Sequence, residues 1–408
     1  MGFTVEQDCP QCGAPIELDE TDHLVSCPYC NIRNFLFSPN YPRFVLPHKA
    51  KNKEILYAPY LRFKGNVYYC MGTTIGHRIV DITHVGLSFD GIPVSLGVRP
   101  QAMNMRFVTP DTQGSFLRFS LKANDILTRA AQLATPASSR RLFHRAFIGE
   151  TLSLIYLPLY EEGDRIFDAI LNRPITKVSE EDDVVEKSIH RSPRWKVTFL
   201  PTLCPRCGWN LDGERDSVVL ICRDCETVWE VVEGRFAQVR FHMVPGEDGD
   251  RFYLPFWRIS AADQESNLKS FADFIRLTGQ PRVVQANMEK QEICFWTPAF
   301  KIRPQVFLNL CKRLTLSQPD FETREAIPRR GDHPVTLPQS EAAQTMKVTL
   351  ASLALNKKEV LPCLPRLRFR VKGSSLIYLP FALKGHDLIQ DQLGICINRN
   401  TLEFGRRL

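Results

Sequence analysis

Apolar and polar residues alternate with a period of two in several parts of this chain, as is typical of β-strands with one buried face. After residue 365, Leu367, Phe369 and Val371 alternate with cationic residues. Two further strands are predicted around Pro59 and Pro255, which lie among aromatic and branched residues. Because proline has no N–H group to donate, each proline should mark a strand start, an edge or a bulge.

Fewer segments show the 3.6-residue period of a helix. Ser266 can cap one helix that ends at Gly279, Pro304 can begin a second, and Asn124 can cap a third that runs to Ala134. Strands outnumber helices. Because strands and helices do not alternate regularly, a parallel sheet is not expected. The chain is therefore predicted to be α+β or mainly β.

Eight of the 13 cysteines form two copies of one pattern, in which two Cys-x-x-Cys pairs are separated by 14 residues. The first copy consists of Cys9, Cys12, Cys27 and Cys30, and the second of Cys204, Cys207, Cys222 and Cys225. Two thiolates at this spacing can hold one side of a tetrahedral ion, and a second pair completes the site. The pattern predicts two closed structural sites, each with one zinc ion and no open position for catalysis.

Turn-forming residues accompany these cysteines, with Pro10 and Gly13 in the first copy and Pro205 and Gly208 in the second. Together with the short branched strands before each second pair, about residues 7–36 and 202–231 resemble the zinc-ribbon superfamily. The resemblance implies bound zinc and a ribbon fold for these two segments. Zinc ribbons occur in transcription factors, enzymes, chaperones and scaffolds, so the resemblance does not specify a function.

The similarity between the two halves extends beyond the cysteines, because further short motifs recur in the same order. These are Arg43-Phe44 with Arg240-Phe241, the strands around Pro59 and Pro255, Phe107-Val-Thr-Pro with Phe295-Trp-Thr-Pro, and Ser153-Leu-Ile-Tyr-Leu-Pro with the identical run from Ser375. We infer a tandem duplication of a unit made of an N-terminal zinc ribbon followed by a β-rich domain.

The inferred duplication gives the domain order. The expected segments are ribbon 1 at 1–38, β-rich domain 1 at 39–176, a linker at 177–196, ribbon 2 at 197–236 and β-rich domain 2 at 237–408. The linker is acidic and then basic, with almost no apolar period. Residues 318–344 have no counterpart in the first half, and their prolines, charges and few large apolar residues predict an exposed insertion loop.

Bulk composition is that of an ordinary globular protein, with 44% hydrophobic and 24% charged residues among 408. The formal charge of +7 is mild for this length, whereas a dedicated duplex-DNA binder would concentrate a basic stripe. No run approaches 18 apolar residues, and the first residues lack signal-peptide features. Since the other cysteines are scattered singly, a reducing cytoplasm is the expected compartment.

No common catalytic motif is present, and strand alternation does not bring His77, Asp81 and His84 to one face. The favoured function is therefore a non-enzymatic cytoplasmic zinc-binding scaffold or adaptor that binds a protein partner. An enzyme with its site between the two units is a third interpretation, because pockets often lie at such junctions.

Binding of nucleic acid is the second interpretation, because cations precede the repeated Ser-Leu-Ile-Tyr-Leu-Pro motif in both halves. They are Arg140, Arg141 and Arg145 in the first half, and Arg366, Arg368, Arg370 and Lys372 in the second. Such residues could follow the phosphates of a single strand. They could equally protect an exposed strand edge from aggregation, which is the favoured interpretation.

Overall fold

A computed structural model describes residues 2–87, 91–119, 141–177, 189–190, 195–246, 251–263, 268–328 and 331–406. Strands make up 44% and helices 18%, which agrees with the predicted α+β or mainly β class. Within the described ranges, no helix is both long enough and apolar enough to cross a membrane. The helix expected at residues 124–134 and most of the linker at 177–196 lie outside the described residues.

The strands of the first half run from the first cysteine cluster into a large sheet. They are β1 (Thr4–Asp8), β2 (Pro15–Asp19), β3 (Leu24–Ser26), β4 (Arg33–Phe37), β5 (Arg43–Val45), β6 (Ile55–Met71), β7 (Thr74–Val85), β8 (Met105–Phe107), β9 (Ser115–Leu117), β10 (Leu142–Glu162), β11 (Arg165–Asp168), β12 (Arg173–Lys177) and β13 (Ile189–His190). Counted over the described residues, 11 of them form one sheet of order β13-β9-β6-β10-β5-β8-β1-β2. In this sheet β7 also pairs with β6, β11 with β10, and β12 with β11.

The strands of the second half form two further sheets and add one strand to the first ribbon. They are β14 (Thr198–Pro201), β15 (Val219–Cys222), β16 (Thr227–Val232), β17 (Arg235–Val239), β18 (Phe241–Met243), β19 (Arg251–Ala262), β20 (Cys294–Pro298), β21 (Arg370–Lys384), β22 (Asp387–Gln390) and β23 (Ile395–Asn398). The orders are β15-β16-β17 and β20-β19-β21-β22-β23, with β18 beside β21. Strand β14 pairs with β4, so a sheet joins the two halves.

Most described helices belong to the second half. They are α1 (Arg99–Ala102), α2 (Phe271–Thr278), α3 (Ala286–Lys290), α4 (Pro304–Ser317), α5 (Gln339–Gln344), α6 (Met346–Leu353), α7 (Lys357–Val360) and α8 (Arg399–Gly405), with 3₁₀ turns at Leu361–Cys363 and Asp391–Leu393. Helix α4 begins at Pro304 as predicted. Helix α2 is capped by Ser270 in a capping box with Asp273, so it begins later than the expected Ser266 cap, and Gly279 ends it at φ 67°.

The central strands of the two halves pair in the same register. Pro59 of β6 is opposite Tyr156 of β10, and Pro255 of β19 is opposite Tyr378 of β21. In each half a short strand, β5 or β18, then pairs in parallel with the segment that contains this tyrosine. The repeated proline and tyrosine therefore occupy the same positions in both halves. The match of Arg43-Phe44 with Arg240-Phe241 is off by one residue, because Leu154 pairs with Arg43 whereas the equivalent Leu376 pairs with Phe241.

Both prolines lie inside long strands and not at strand starts. The carbonyl of Pro59 accepts a hydrogen bond from the Gly86 N–H at 2.8 Å, and that of Pro255 accepts one from Ala299 at 3.0 Å. These donors come just after the ends of β7 and β20, and a residue's N and C=O point to the same side of a strand. The backbone side of each proline that lacks an N–H group thus faces the point where the neighbouring strand has ended, so no ladder hydrogen bond is lost there.

The proposed match between Phe107 and Phe295 is wrong in three dimensions. Phe107 lies in β8 and pairs with Phe44 of β5, whereas Phe295 lies in β20 and pairs with Ile259 of β19. The strand that takes the place of β20 beside β6 is β7. Three residues in common, a phenylalanine and a Thr-Pro pair, were too few to identify equivalent strands.

The exposed character predicted for residues 318–344 is also wrong for several side chains. Val335 is 3% exposed and Leu337 is fully buried. The carbonyl of Leu337 accepts a hydrogen bond at 2.9 Å from the indole N–H of Trp257, which is itself fully buried in β19. The segment has little regular structure before α5, but it covers part of the second half's core.

The outer ends of β6, β7 and β10 extend from the first half onto the helices of the second, and we call residues 65–80 and 142–149 the arm. Helices α4 and α6 contact the arm strands. Four buried arm residues belong to the core of the second half, namely Tyr68, Cys70, Ala146 and Ile148. The Tyr68 hydroxyl donates a hydrogen bond to the Pro304 carbonyl at 3.2 Å. The arm therefore completes a core that the second half does not close alone.

Candidate metal centres

The first cysteine cluster brings four sulfur atoms together between β1–β2 and β3–β4. Cys9 Sγ lies 3.7 Å from Cys30 Sγ, and Cys12 Sγ lies 3.7 Å from Cys27 Sγ. All four sulfurs are within 4.8 Å of one another. Zn–S bonds of about 2.3 Å in a tetrahedron place the sulfurs about 3.8 Å apart. The cluster therefore has the dimensions of a four-thiolate metal site.

The second cluster repeats this arrangement before and after β15. Cys204 Sγ lies 3.6 Å from Cys225 Sγ, Cys207 Sγ lies 3.4 Å from Cys222 Sγ, and these four sulfurs are also within 4.8 Å of one another. In both clusters the first cysteine of each pair is buried. Each set of four cysteines could bind one metal ion.

A left-handed residue follows each Cys-x-x-Cys pair and closes the turn. These residues are Gly13 at φ 73°, Asn31 at 58°, Gly208 at 77° and Glu226 at 49°. In the first three turns this residue donates its N–H to the carbonyl of the first cysteine, at 2.8 to 3.0 Å. Glycine adopts such angles without strain, and asparagine does so more readily than other residues. Sequence reasoning identified the two glycines and missed Asn31 and Glu226.

Backbone N–H groups inside these turns stabilise a thiolate. The N–H groups of Cys30 and Tyr29 hydrogen-bond to the Cys27 sulfur and lower the pKa of Cys27 to about 6. Hydrogen bonds to the charged form favour that form, and the thiolate is the form that binds metal. The turn thus favours the thiolate form of Cys27.

Thr227 supports the second cluster and was not identified from the sequence. Its hydroxyl oxygen lies 3.1 Å from Cys225 Sγ and accepts a hydrogen bond from the Trp229 indole N–H at 2.9 Å. Because the oxygen already accepts, its hydrogen is available to donate to sulfur, as outer groups commonly do around metal ligands. The first cluster has Ile32 at the corresponding position, so only the second has this hydroxyl.

The two ribbons pack against each other through a small shared core. Its buried members are Leu24, Phe35, Cys204, Leu211, Leu220, Cys222 and Trp229. Arg33 Nη1 lies 3.3 Å from Asp212 Oδ1, and the N–H groups of His23 and Leu24 donate to the Arg215 carbonyl. Two of the eight cysteines thus form part of the contact between the ribbons.

The structure keeps His77, Asp81 and His84 in separate environments, as expected. Asp81 accepts hydrogen bonds from the Arg62 guanidinium at 3.0 Å. His84 Nδ1 lies 2.7 Å from the Val85 carbonyl, and the His77 ring lies 6.0 Å from that of Tyr68. The three side chains therefore do not form one cluster.

The basic positions of the first half differ in exposure. Arg141 is exposed, whereas Arg145 is half-buried, and its Nε has no hydrogen-bond partner among the described residues. Burial lowers the pKa of Arg145. Arg140 lies outside the described residues.

The basic positions of the second half do not form one regular strand face. Strand β21 begins at Arg370, so Arg366 and Arg368 precede it. Lys372 pairs with Glu292 at 2.8 Å. Val371, which the alternation predicted to be buried, is 39% exposed. The predicted alternation after residue 365 is therefore confirmed for Leu367, which is buried, and for Phe369, which packs against the core, and is wrong at Val371.

A pair of carboxylates lies where α5 of the second half meets β10 of the first. Glu341 accepts hydrogen bonds from the N–H groups of Gly149 at 2.6 Å and Glu150 at 3.3 Å, at a bulge in β10. Burial raises the pKa of Glu150 from 4.5 to about 7, and the Glu341 carboxylate adds to the rise while Lys301 opposes it. The ionised form of Glu150 is therefore disfavoured in the folded chain.

Replacing Glu150 with glutamine should stabilise the chain at pH 8 and have little effect at pH 4.5. The pKa of Glu150 is about 7 in the folded chain and 4.5 in the unfolded chain, so the folded chain holds this proton more tightly. The folded chain therefore has its full stability below pH 4.5 and loses stability as the pH rises through 7. At about 1.4 kcal/mol per pKa unit, the variant should gain up to about 3 kcal/mol in free energy of unfolding at pH 8. Urea unfolding at both pH values, with exposed Glu54→Gln as control, measures this. An equal difference at both pH values would contradict the assignment.

The two clusters are thus candidate metal sites, and in each of them four cysteines close in sequence could bind one ion. No protein-family model, curated protein or solved structure gives a significant match to the chain.

Proposed function

We propose that this chain is a zinc-binding scaffold or adaptor protein, with one structural zinc ion in each four-cysteine cluster. The observation that carries the proposal is the spacing of the sulfurs, 3.4 to 3.7 Å within the pairs measured in both clusters. Tetrahedral thiolate sites select zinc or iron–sulfur centres, and a single ion with four ligands in Cys-x-x-Cys turns favours zinc. Four ligands leave no position for substrate, so the ions would act on structure.

The duplication stays part of this proposal. Its support is the shared register of Pro59 with Tyr156 and of Pro255 with Tyr378, together with the parallel strand that follows each ribbon. Two ribbons that pack on each other and on two sheets would give a rigid base. Such a base suits a protein that positions partners.

Two exposed aromatic side chains on the ribbons are the proposed partner contacts. Tyr29, inside the Cys27–Cys30 turn, is 67% exposed, and Trp209, beside Gly208, is 64% exposed. Tyrosine and tryptophan are the residues most enriched among those that dominate binding energy at protein interfaces. Metal-closed turns would hold both rings in fixed positions.

Trp209→Ala should weaken capture of a protein partner by about tenfold or more, because truncated tryptophan anchors commonly lose about 2 kcal/mol or more of binding energy. Affinity capture from extracts of the source cells, quantified by mass spectrometry, measures the loss. Phe404→Ala is the matched control, since Phe404 is 56% exposed and lies in α8, outside both ribbons. Equal capture by both variants would contradict a contact at the ribbon.

Nucleic-acid binding is the second candidate function, because Lys347 of the second half lies near β10, the strand that contains Arg145 of the first half. The charge of Lys347 acts on His144 of β10, and that of Arg368 acts on Lys347. Lys347 and Arg368 of the second half thus lie near β10 of the first half. Binding to a single-stranded oligonucleotide that weakens steeply with salt would support this candidate over the scaffold.

A further inference from the structure

The second half contains a cavity of about 290 Å³ between ribbon 2 and the segment at residues 332–335. Tyr378 of β21 lines it together with Asp212, Arg223, Asp332 and His333. The cavity is separate from the metal clusters, and none of the eight cysteines is among its lining residues. Its size is near the lower end for small-molecule sites.

The hydroxyl of Tyr378 gives this cavity an unsatisfied polar group. Tyr378 is fully buried, and its hydroxyl has no hydrogen-bond partner among the described residues. The charges that act on it are those of Asp332 and Arg223, which line the same cavity, so the hydroxyl lies on the cavity side of the ring. Few buried polar groups in native proteins lack a partner, and those that do often mark an absent water or ligand.

The corresponding tyrosine of the first half has a cation beside it. Tyr156 has the same register as Tyr378, and the Arg43 guanidinium near its hydroxyl opposes the rise in the pKa of Tyr156 that burial causes. Arg43 pairs with Leu154 in β10, and the equivalent position beside β21 is occupied by Phe241. The second half has therefore lost the arginine at the place where residues 332–335 enclose a cavity.

The chemistry of the lining favours a positively charged occupant. The lining itself has three carboxylates, Asp212, Glu214 and Asp332, and one arginine, Arg223. Arg33 and Arg406 reach Asp212 and Glu214 from outside the lining, whereas Asp332 pairs with Arg223 and shares it with Asp212. Asp332 Oδ1 accepts from Arg223 at 3.2 Å, whereas no described residue donates to its Oδ2. Burial lowers the pKa of His333 to about 4, so its ring is neutral at pH 7.

We propose that this cavity binds a small organic ammonium compound, which donates hydrogen bonds to Tyr378 Oη and Asp332 Oδ2. Its alkyl part would contact the apolar side chains of the lining, Val219, Ile221 and Val335. The insertion at 318–344, which has no counterpart in the first half, supplies one wall of the site. It would restrict binding to the second half.

Three four-carbon compounds of similar size and different charge test the proposal: n-butylamine, 1-butanol and butyrate. Each is added to the full chain at pH 7, and thermal unfolding is measured. The amine alone should raise Tm, increasingly with its concentration, because a ligand that binds only the folded state stabilises it. Tyr378→Phe should abolish the shift. The hydroxyl it removes has no partner, so the variant should fold normally. Tyr156→Phe, which removes the equivalent hydroxyl in the first half, should keep the shift.

Asp332→Asn provides a second reading, because it keeps the shape of the side chain and removes its charge. It too should abolish the shift with n-butylamine. Equal shifts with all three compounds, no shift with any of them, or an unchanged amine shift in Tyr378→Phe would each overturn the proposal. Calorimetric titration of n-butylamine into the wild-type chain distinguishes a single site from diffuse binding to surface carboxylates.

Discussion

Replacing Cys207 with serine should lower the zinc content from about two ions per chain to about one, because a closed four-thiolate site loses its ion when a ligand is removed. The second ribbon should then unfold locally, since few apolar residues hold it. Elemental analysis and the fluorescence of Trp229, which is 7% exposed in that ribbon, measure the two effects. The ribbons share a core, so the midpoint of thermal unfolding of the whole chain should also fall.

Cys396→Ser is the control for this experiment, because Cys396 is exposed and does not belong to either cluster. It should keep about two zinc ions and the native midpoint. Unchanged metal content in Cys207→Ser, or no metal in the native chain, would contradict the assignment of the clusters and with it the proposed scaffold.

Glu20→Gln should lower the free energy of unfolding by about 3–5 kcal/mol, the usual loss when one partner of a buried ion pair is removed. The Glu20 side chain is 2% exposed and pairs with the Arg62 guanidinium, which is 1% exposed. Glu20 also pairs with Lys64, with 3.1 Å between the carboxylate oxygen and the ammonium nitrogen. Burial and the charge of Arg62 lower the pKa of Lys64. The Glu20→Gln change would remove one carboxylate from two buried cations, while Asp81, which pairs with Arg62, is 29% exposed.

The matched control for Glu20 is Glu162, which pairs with Lys53 at 2.8 Å and is 55% exposed. Glu162→Gln should change the free energy of unfolding by less than about 1 kcal/mol, because exposed ion pairs contribute little. Urea unfolding at pH 7 compares the two variants. Similar losses in both would show that Glu20 does not join ribbon 1 to β6 through a buried network.

The metal clusters could be predicted from the sequence because their ligands are close along the chain. Each Cys-x-x-Cys turn is a local structure, and Gly13 and Gly208 show that the backbone can close there. The spacing therefore identified the same eight cysteines whose sulfur atoms lie close together in the structure. Thr227 was missed because a hydroxyl beside a cysteine has no distinctive pattern of its own.

The contacts between distant segments could not be predicted in the same way. Residues 318–344 contain many prolines and charges, which hid the fact that Val335 and Leu337 are buried against the second sheet. Pairing of β14 with β4 joins positions about 165 residues apart, and no local period reports such a contact. The unsatisfied hydroxyl of Tyr378 depends on contacts among segments far apart in sequence, so no local pattern predicts it.

The arm implies an order of folding during synthesis. The last residue of the arm is 149, whereas helix α4, which contacts it, begins at Pro304, so the ribosome must add about 150 residues in between. Until then the apolar side chains of Tyr68, Ala146 and Ile148 lack their final neighbours, and transiently exposed surface of this kind promotes aggregation. Closure of the arm on α4 is therefore a late event, and a nascent first half released early is a natural client for a chaperone.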